Sequence, residues 1–227
     1  MTNLETKFLE IQNRLKAQVT CVDSFSLTDL KTAAGVDLAY WKQDDQEYAV
    51  CCIVILDYET GEILESKQYH DQIKCPYMPG FLAFRELPLI LETVKLLEIK
   101  PDLYVFDGNG YLHPRHMGIA SHAGLLLNQP SIGVAKTYYK VMDTDYKEPD
   151  QSAGSYTDIR IQNEVYGRVL RTHDCVKPVF LSVGTGIALD TAMKIVLHFV
   201  TKESRIPAPT RLADLATHTA RRELSGN

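Results

Sequence analysis

Apolar residues recur at spacings of four, three and four near the start of the chain, at Leu4, Phe8, Ile11 and Leu15, and this single stripe predicts an amphipathic helix over Asn3 to Val19. Strand patterns follow. Ala33 to Tyr40 and Glu47 to Tyr58 read as strands, and Thr60-Gly61 supplies turn chemistry before a third, Ile63 to Tyr69, so these three are expected to be antiparallel neighbours. Helical spacing returns with Phe81, Phe84, Leu87, Leu91 and Val94, between Pro79 and about Ile99. Pro88 should kink or restart that helix, because proline removes a backbone donor and crowds the preceding turn.

Asp102 to Phe106 is a short apolar run bounded by Pro101 and Asp107-Gly108-Asn109-Gly110, as suits a buried parallel strand that ends in a loop. A helix near His116 to Asn128 and a strand at Ser131 to Lys136 come next, then a long polar loop from Asp143 to Thr157. Val165 to Thr172 and Pro178 to Val183 read as strands, and Leu189 to Val200 and Arg211 to Leu224 as closing helices. Strands that are first antiparallel and then alternate with helices predict an α/β fold, a mixed central sheet flanked by helices, in a single domain over residues 1–227.

Composition narrows the class. With 45% apolar and 23% charged residues the chain is neither disordered nor collagen-like. The longest apolar run, Ala49 to Leu56, is far too short to span a bilayer, and the polar start lacks a signal-peptide pattern, so a cytoplasmic protein with no membrane partner is expected. Five cysteines, with no C-x-x-C pair, read as free thiols; the adjacent Cys51 and Cys52 should point to opposite faces of a strand. A net charge of -5 argues against coating nucleic acid through bulk electrostatics, an objection that a local basic patch or metal-neutralised carboxylates would escape.

Asp37 sits inside the apolar strand around Gly35-Val36-Asp37-Leu38, where an unpaired carboxylate is costly, so positive charge should meet it. Asp107 ends another buried strand, at the edge where α/β sheets place ligands, and Glu86 lies just before the Pro88 break. Each alone is more often a cap or an ion-pair partner. Three carboxylates converging from separate elements would instead suit a hard divalent cation and a metal-dependent hydrolase. A calcium loop at Asp107 to Gly110 fails, since the spaced acidic ligands of an EF-hand are missing.

Tyr77-Met78-Pro79-Gly80 is a stiff, aromatic-tipped turn that is either a plain connector or a wedge able to part bases. His113-Pro114-Arg115-His116 and Lys136 would bring positive charge to a phosphate if they flank the carboxylates. Arg168, Arg171, His173 and Lys177 form a further basic cluster, a candidate backbone-binding face or ordinary surface.

The segments Gly35-Val36-Asp37, PYMPGFLAFRELP (Pro76 to Pro88), DGNGYLHPRHMGIASHAG (Asp107 to Gly124), Ile132 to Lys136, Lys177 to Phe180 and Pro209 to Asp214 resemble, in order, those of the endonuclease V family of deoxyinosine 3′ endonucleases, over about residues 30 to 215. The resemblance implies a ribonuclease H-like fold and a metal-dependent nuclease that recognises inosine, formed by deamination of adenine. Such an enzyme cuts the second phosphodiester bond 3′ to the lesion, leaving a 3′-hydroxyl and a 5′-phosphate, in DNA repair.

It implies Asp37, Glu86 and Asp107 as metal ligands and catalytic groups with Lys136, a wedge at Tyr77 and Pro79, a base pocket at Gly80, Leu82 and Gly108, and His113 as a further basic position. The cofactor implied is Mg²⁺, with Mn²⁺ as a substitute. The partner implied is DNA containing deoxyinosine, with inosine-containing RNA as the alternative and no obligate protein partner. The chain departs from the family where Thr185-Gly186 stands in place of a frequent His-Arg. Loss of an imidazole and a guanidinium beside the metal would leave a lesion-binding protein with impaired cleavage as the remaining alternative.

Overall fold

In chain order the strands are β1 (Thr32–Gln43), β2 (Gln46–Asp57), β3 (Ile63–Gln72), β4 (Leu103–Phe106), β5 (Ser131–Ala135), β6 (Tyr156–Ile161), β7 (Glu164–Leu170) and β8 (Val179–Thr185). The computed structural model, which describes residues 2–226, joins them in one sheet of order β3-β2-β1-β4-β5-β8-β7-β6. The expected antiparallel meander of β1, β2 and β3 is present. β4 and β5 then run parallel to β1, and β8, β7 and β6 follow, each antiparallel to its neighbour.

The helices are α1 (Asn3–Leu15), α2 (Leu82–Val94), α3 (Ile119–Leu127), α4 (Leu189–His198) and α5 (Ala208–Ser225). α1 opens with a capping box in which Thr2 and Glu5 satisfy each other's backbone donors. The alternation of β1 assigns the two faces of the sheet. Ala34 and Val36 join the core beneath α2 and α3, whereas Ala33 joins the core beneath α4 and α5. Gly35 lies under α5 so closely that a Cβ there would fall 1.9 Å from the Pro209 carbonyl oxygen. Cys51 and Cys52 face opposite ways, into different cores.

Three expectations change. Pro88 lies inside one continuous α2 and neither ends nor restarts it. β6 occupies ground read as loop and unassigned chain, where exposed Tyr156 and Arg160 mask the alternating burial of Ile159 and Ile161. α5 starts three residues before Arg211, with Pro209 in its first turn, where a missing N–H costs no helical bond. No helix among the described residues is long and apolar enough to cross a membrane.

Candidate active site

Parallel pairing of β1 with β4 matches Val36 with Phe106, so the next residue of each strand, Asp37 and Asp107, comes level at the carboxyl edge. The Asp107 N–H donates to the Val36 carbonyl at 3.2 Å and fixes that register. α5 brings Asp214 over the same edge. Ligand atoms of Asp37, Asp107 and Asp214 all lie within 4.8 Å of one another. Lys136, one residue beyond β5, reaches across them, with Nζ 2.6 Å from Asp107 Oδ2 and 3.0 Å from Asp214 Oδ1. The Thr217 hydroxyl, one turn after Asp214, lies 3.1 Å from Asp37 Oδ2.

Burial and then the neighbouring Asp107 charge push the Asp37 carboxyl up to about 6, against the lowering effects of the Thr217 hydroxyl and Lys136. Burial alone would lower the Lys136 ammonium, but its bonds to Asp107 and Asp214 hold it above its ordinary value. Arg205 stands behind this lysine, donating to the carbonyls of Pro178 at 2.7 Å and Lys136 at 3.4 Å. Three clustered carboxylates against one ammonium leave excess negative charge, and the donors are all oxygen. That set fits a hard divalent cation, which Asp37, Asp107 and Asp214 are placed to hold.

Glu86, expected as a ligand together with Asp37 and Asp107, is not among the acids whose ligand atoms all lie within 4.8 Å of one another. It comes from α2 on the opposite face of the sheet, where the Tyr40 hydroxyl donates to its Oε1 at 2.6 Å. Tyr40 and Asp37 are an odd number of residues apart on one strand, so they leave by different faces. Glu86 is nonetheless near enough for Asp37 and Asp107 to act on it: burial first, and then those charges, raise its carboxyl to about 7, with Tyr40 opposing. The remaining acid at the edge, Asp214, is absent from the ligands that the sequence implies, although it closes the segment Pro209 to Asp214. Its signal is its place beside the buried stripe Thr210, Ala213, Thr217 and Ala220 on α5.

A cavity of about 120 Å³ adjoins the acids. Its walls include Tyr77 and Gly80 of the stiff turn, Leu82 and Ala83 at the start of α2, Gly108 and His113 after β4, and Tyr139. The volume is well below the roughly 300–1,000 Å³ of a drug-sized site and suits one flat heterocycle. Tyr77 is 64% exposed at its mouth, as a wedge requires. Neither α2 nor α3 has a side-chain N-cap, so the helix ends that border the cavity keep their polarity for a ligand. Gly80 has φ +79°, a conformation that favours glycine.

His113 belongs to this cavity and carries no cationic charge there. Its Nδ1 accepts from the Arg115 and Met117 N–H groups, so Nε2 is the protonated nitrogen and donates to the Gly80 carbonyl at 3.1 Å. Burial first, then the Arg115 charge, press its pKa down to about 3.

Two other sequence features lie elsewhere. Thr185 pairs with Ser131 at the start of β5, whereas Lys136 follows its far end, so Thr185-Gly186 is remote from the acids and the expected loss of groups beside the metal does not arise. These residues bond instead to Thr20 and Ser24 after α1. Of the basic cluster, Arg168 pairs with Asp158 and Asp190, and Arg171 is buried on Glu148 and backbone carbonyls; neither is a free phosphate-binding cation.

The Endonuclease V family model matches residues 13–215. Endonuclease V of Bacillus thuringiensis is 53% identical over 229 residues, covering 99% of this chain and 97% of that protein. The crystal structure of the Bacillus subtilis protein superposes with a TM-score of 0.96 at 49% identity, covering 100% of this chain and 95% of that one. Endonuclease V of Ciona intestinalis, solved with a 24mer DNA containing an inosine followed by a ribo-adenosine, gives 0.89 at 28% identity, covering 98% and 100%. The mixed sheet is thus the ribonuclease H-like one, its acidic edge carries a group of carboxylates that could hold a metal ion, and the chain belongs to the endonuclease V family.

Proposed function

We propose that this chain, acting as a single domain over residues 1–227, is a Mg²⁺-dependent endonuclease, with Mn²⁺ as a substitute. It takes the hypoxanthine base of a deaminated adenosine in DNA into the small cavity and hydrolyses the second phosphodiester bond on its 3′ side. One observation carries this reading: the loop after β4 supplies both Asp107 of the acidic trio and Gly108 and His113 of the cavity wall. Base recognition and bond cleavage are therefore separated by a fixed offset.

In this reading Tyr77 and Pro79 part the strand, and Gly80, Leu82, Gly108 and neutral His113 shape the pocket. A weak inosine pair makes extrusion of its base cheaper than that of a matched one. Asp37, Asp107 and Asp214 hold the ion, with Glu86 beside them. When bound, the ion supplies Lewis-acid polarisation of a phosphoryl oxygen and a water of lowered pKa. Lys136 keeps its proton and stabilises charge that develops on the phosphate. The oxygen of water bonds to phosphorus in line as the P–O3′ bond breaks and O3′ takes a proton, leaving a 5′-phosphate and a 3′-hydroxyl. The free thiols, Cys21, Cys51, Cys52, Cys75 and Cys175, suit a reducing cytoplasm.

The test is an end-labelled duplex with one central deoxyinosine, incubated with Mg²⁺ or with chelator, beside an undamaged duplex and an RNA version. A single product of the predicted length, absent with chelator and from the undamaged duplex, is expected. Cleavage of RNA alone would make the chain an inosine-specific ribonuclease. Binding without nicking, unrepaired by Mn²⁺, would make it a lesion-binding protein.

A further inference from the structure

Gln12 of α1 is fully buried, yet every polar group of its side chain is engaged far away in sequence. Its Nε2 donates to the Gly80 carbonyl at 3.0 Å and to the Met117 carbonyl at 3.3 Å, and its Oε1 accepts from Arg115 Nε. This network also fixes which way the amide points, since two carbonyls face the nitrogen and a guanidinium faces the oxygen. Gly80 and Met117 both line the small cavity. The Gly80 carbonyl is held by three donors at once, Gln12, His113 Nε2 and Arg115, the last at 2.8 Å. Phe8, one turn earlier on α1, stacks on Phe84 with ring centroids 3.9 Å apart, so the helix is seated against α2 as well.

We propose that Gln12 is a positioning residue for base recognition. By tying the Gly80 peptide to the Met117 segment it sets the separation of two cavity walls, and hence the affinity for an extruded base, without acting on the acids that cleave. The inference rests on the reading that the cavity receives the base. Gln12 lies just ahead of the segment that the family model matches and belongs to none of the blocks that mark the chemistry.

The experiment is single-turnover nicking of the deoxyinosine duplex over a range of enzyme concentrations, for wild type and Gln12→Met, with binding to an abasic duplex measured alongside. Met keeps the volume and removes the hydrogen bonds. The half-saturating concentration for inosine should rise about tenfold, as for the loss of buried hydrogen bonds. The maximal rate should stay within about twofold, as expected where only binding is lost. Affinity for abasic DNA, which has no base to seat, should not change. Equal losses on both duplexes, a fall in maximal rate of similar size, or no change on inosine would each overturn the assignment. If Gln12→Met is not folded by circular dichroism, Gln12→Glu takes its place with the same expected outcomes: it keeps an acceptor for Arg115 and turns an acceptor toward the two carbonyls. A wild type that shows no preference for inosine over undamaged duplex would refute the cavity reading itself. A wild-type preference left undiminished by the substitution would refute only the role of Gln12.

Discussion

Lys136 Nζ and Asp107 Oδ2 stand 2.6 Å apart at the ends of the neighbouring strands β5 and β4, which makes this ion pair a direct link between the proposed ion site and a permanent cation. Lys136→Met should lower the single-turnover nicking rate by about 100- to 1,000-fold, the usual loss when one charge-stabilising donor is removed. Binding to the deoxyinosine duplex should persist. A rate within a few-fold of wild type would exclude Lys136 from the reaction.

Asp214 shares its oxygen neighbourhood with Asp37 and Asp107. Asp214→Ala, like Asp37→Ala and Asp107→Ala, should therefore abolish nicking, and calorimetric titration with Mn²⁺ should show weakened binding. Glu86→Gln, on the far face of the sheet, should disturb ion affinity less. The opposite ranking would make Glu86, rather than Asp214, the primary ligand beside Asp37 and Asp107.

Gly35 allows the start of α5 to lie flat on β1. Gly35→Ala would drive a methyl into the Pro209 backbone and lift the helix that carries Asp214. A destabilisation of about 1–3 kcal/mol is expected from overpacking, read from denaturant midpoints, together with a loss of nicking. Retention of both would show that α5 has room to shift.

His113 and His122 are held neutral chiefly by burial, with pKa values near 3 and 4 against an ordinary 6.5. Below 6.5 these two imidazoles bind more protons in the unfolded chain than in the folded one and take stability from the fold as pH falls towards 3, whereas the raised Asp37 and Glu86 carboxyls, near 6 and 7, act in the opposite direction. Above that window these two groups add no slope. The test is the difference between variants: denaturant midpoints should show His113→Gln gaining stability relative to wild type at pH 5 compared with pH 7.5, and the same pH dependence in both proteins would remove His113 as a contributor.

Gly186 turns the chain with φ +68° at the edge opposite the acids. Gly186→Ala should cost about 1 kcal/mol of stability through that backbone conformation. The Mg²⁺ concentration for half-maximal nicking should not move. A shift in that midpoint would contradict the distance implied by the β5–β8 register.

Local pattern reveals the elements and two of the three clustered acids, because Asp37 and Asp107 interrupt or terminate apolar strands, where a charge is conspicuous. Asp214 is less visible: on a helix rich in polar residues, a carboxylate at the border of the buried stripe looks like ordinary surface. Likeness to relatives sets Thr185-Gly186 beside the metal, and only the antiparallel return of β8 shows to which end of the sheet it goes. The apparent basic face dissolves for a related reason. Asp158 and Asp190, which neutralise Arg168, lie on other elements, and pairing across such separations leaves no periodic trace. Gln12 is hidden in an apolar stripe, where one polar side chain is easily passed over.

The acidic trio draws its first member from β1 and its last from the closing helix. During synthesis Asp37 and Asp107 leave the ribosome long before Asp214, and chains lengthen by only about 5–20 residues per second. A nascent chain can thus hold much of the sheet while its ion site stays incomplete. With the ion held by this trio, the scissors are assembled only after translation has delivered and docked α5, which keeps an unfinished copy from cutting the nucleic acid around it.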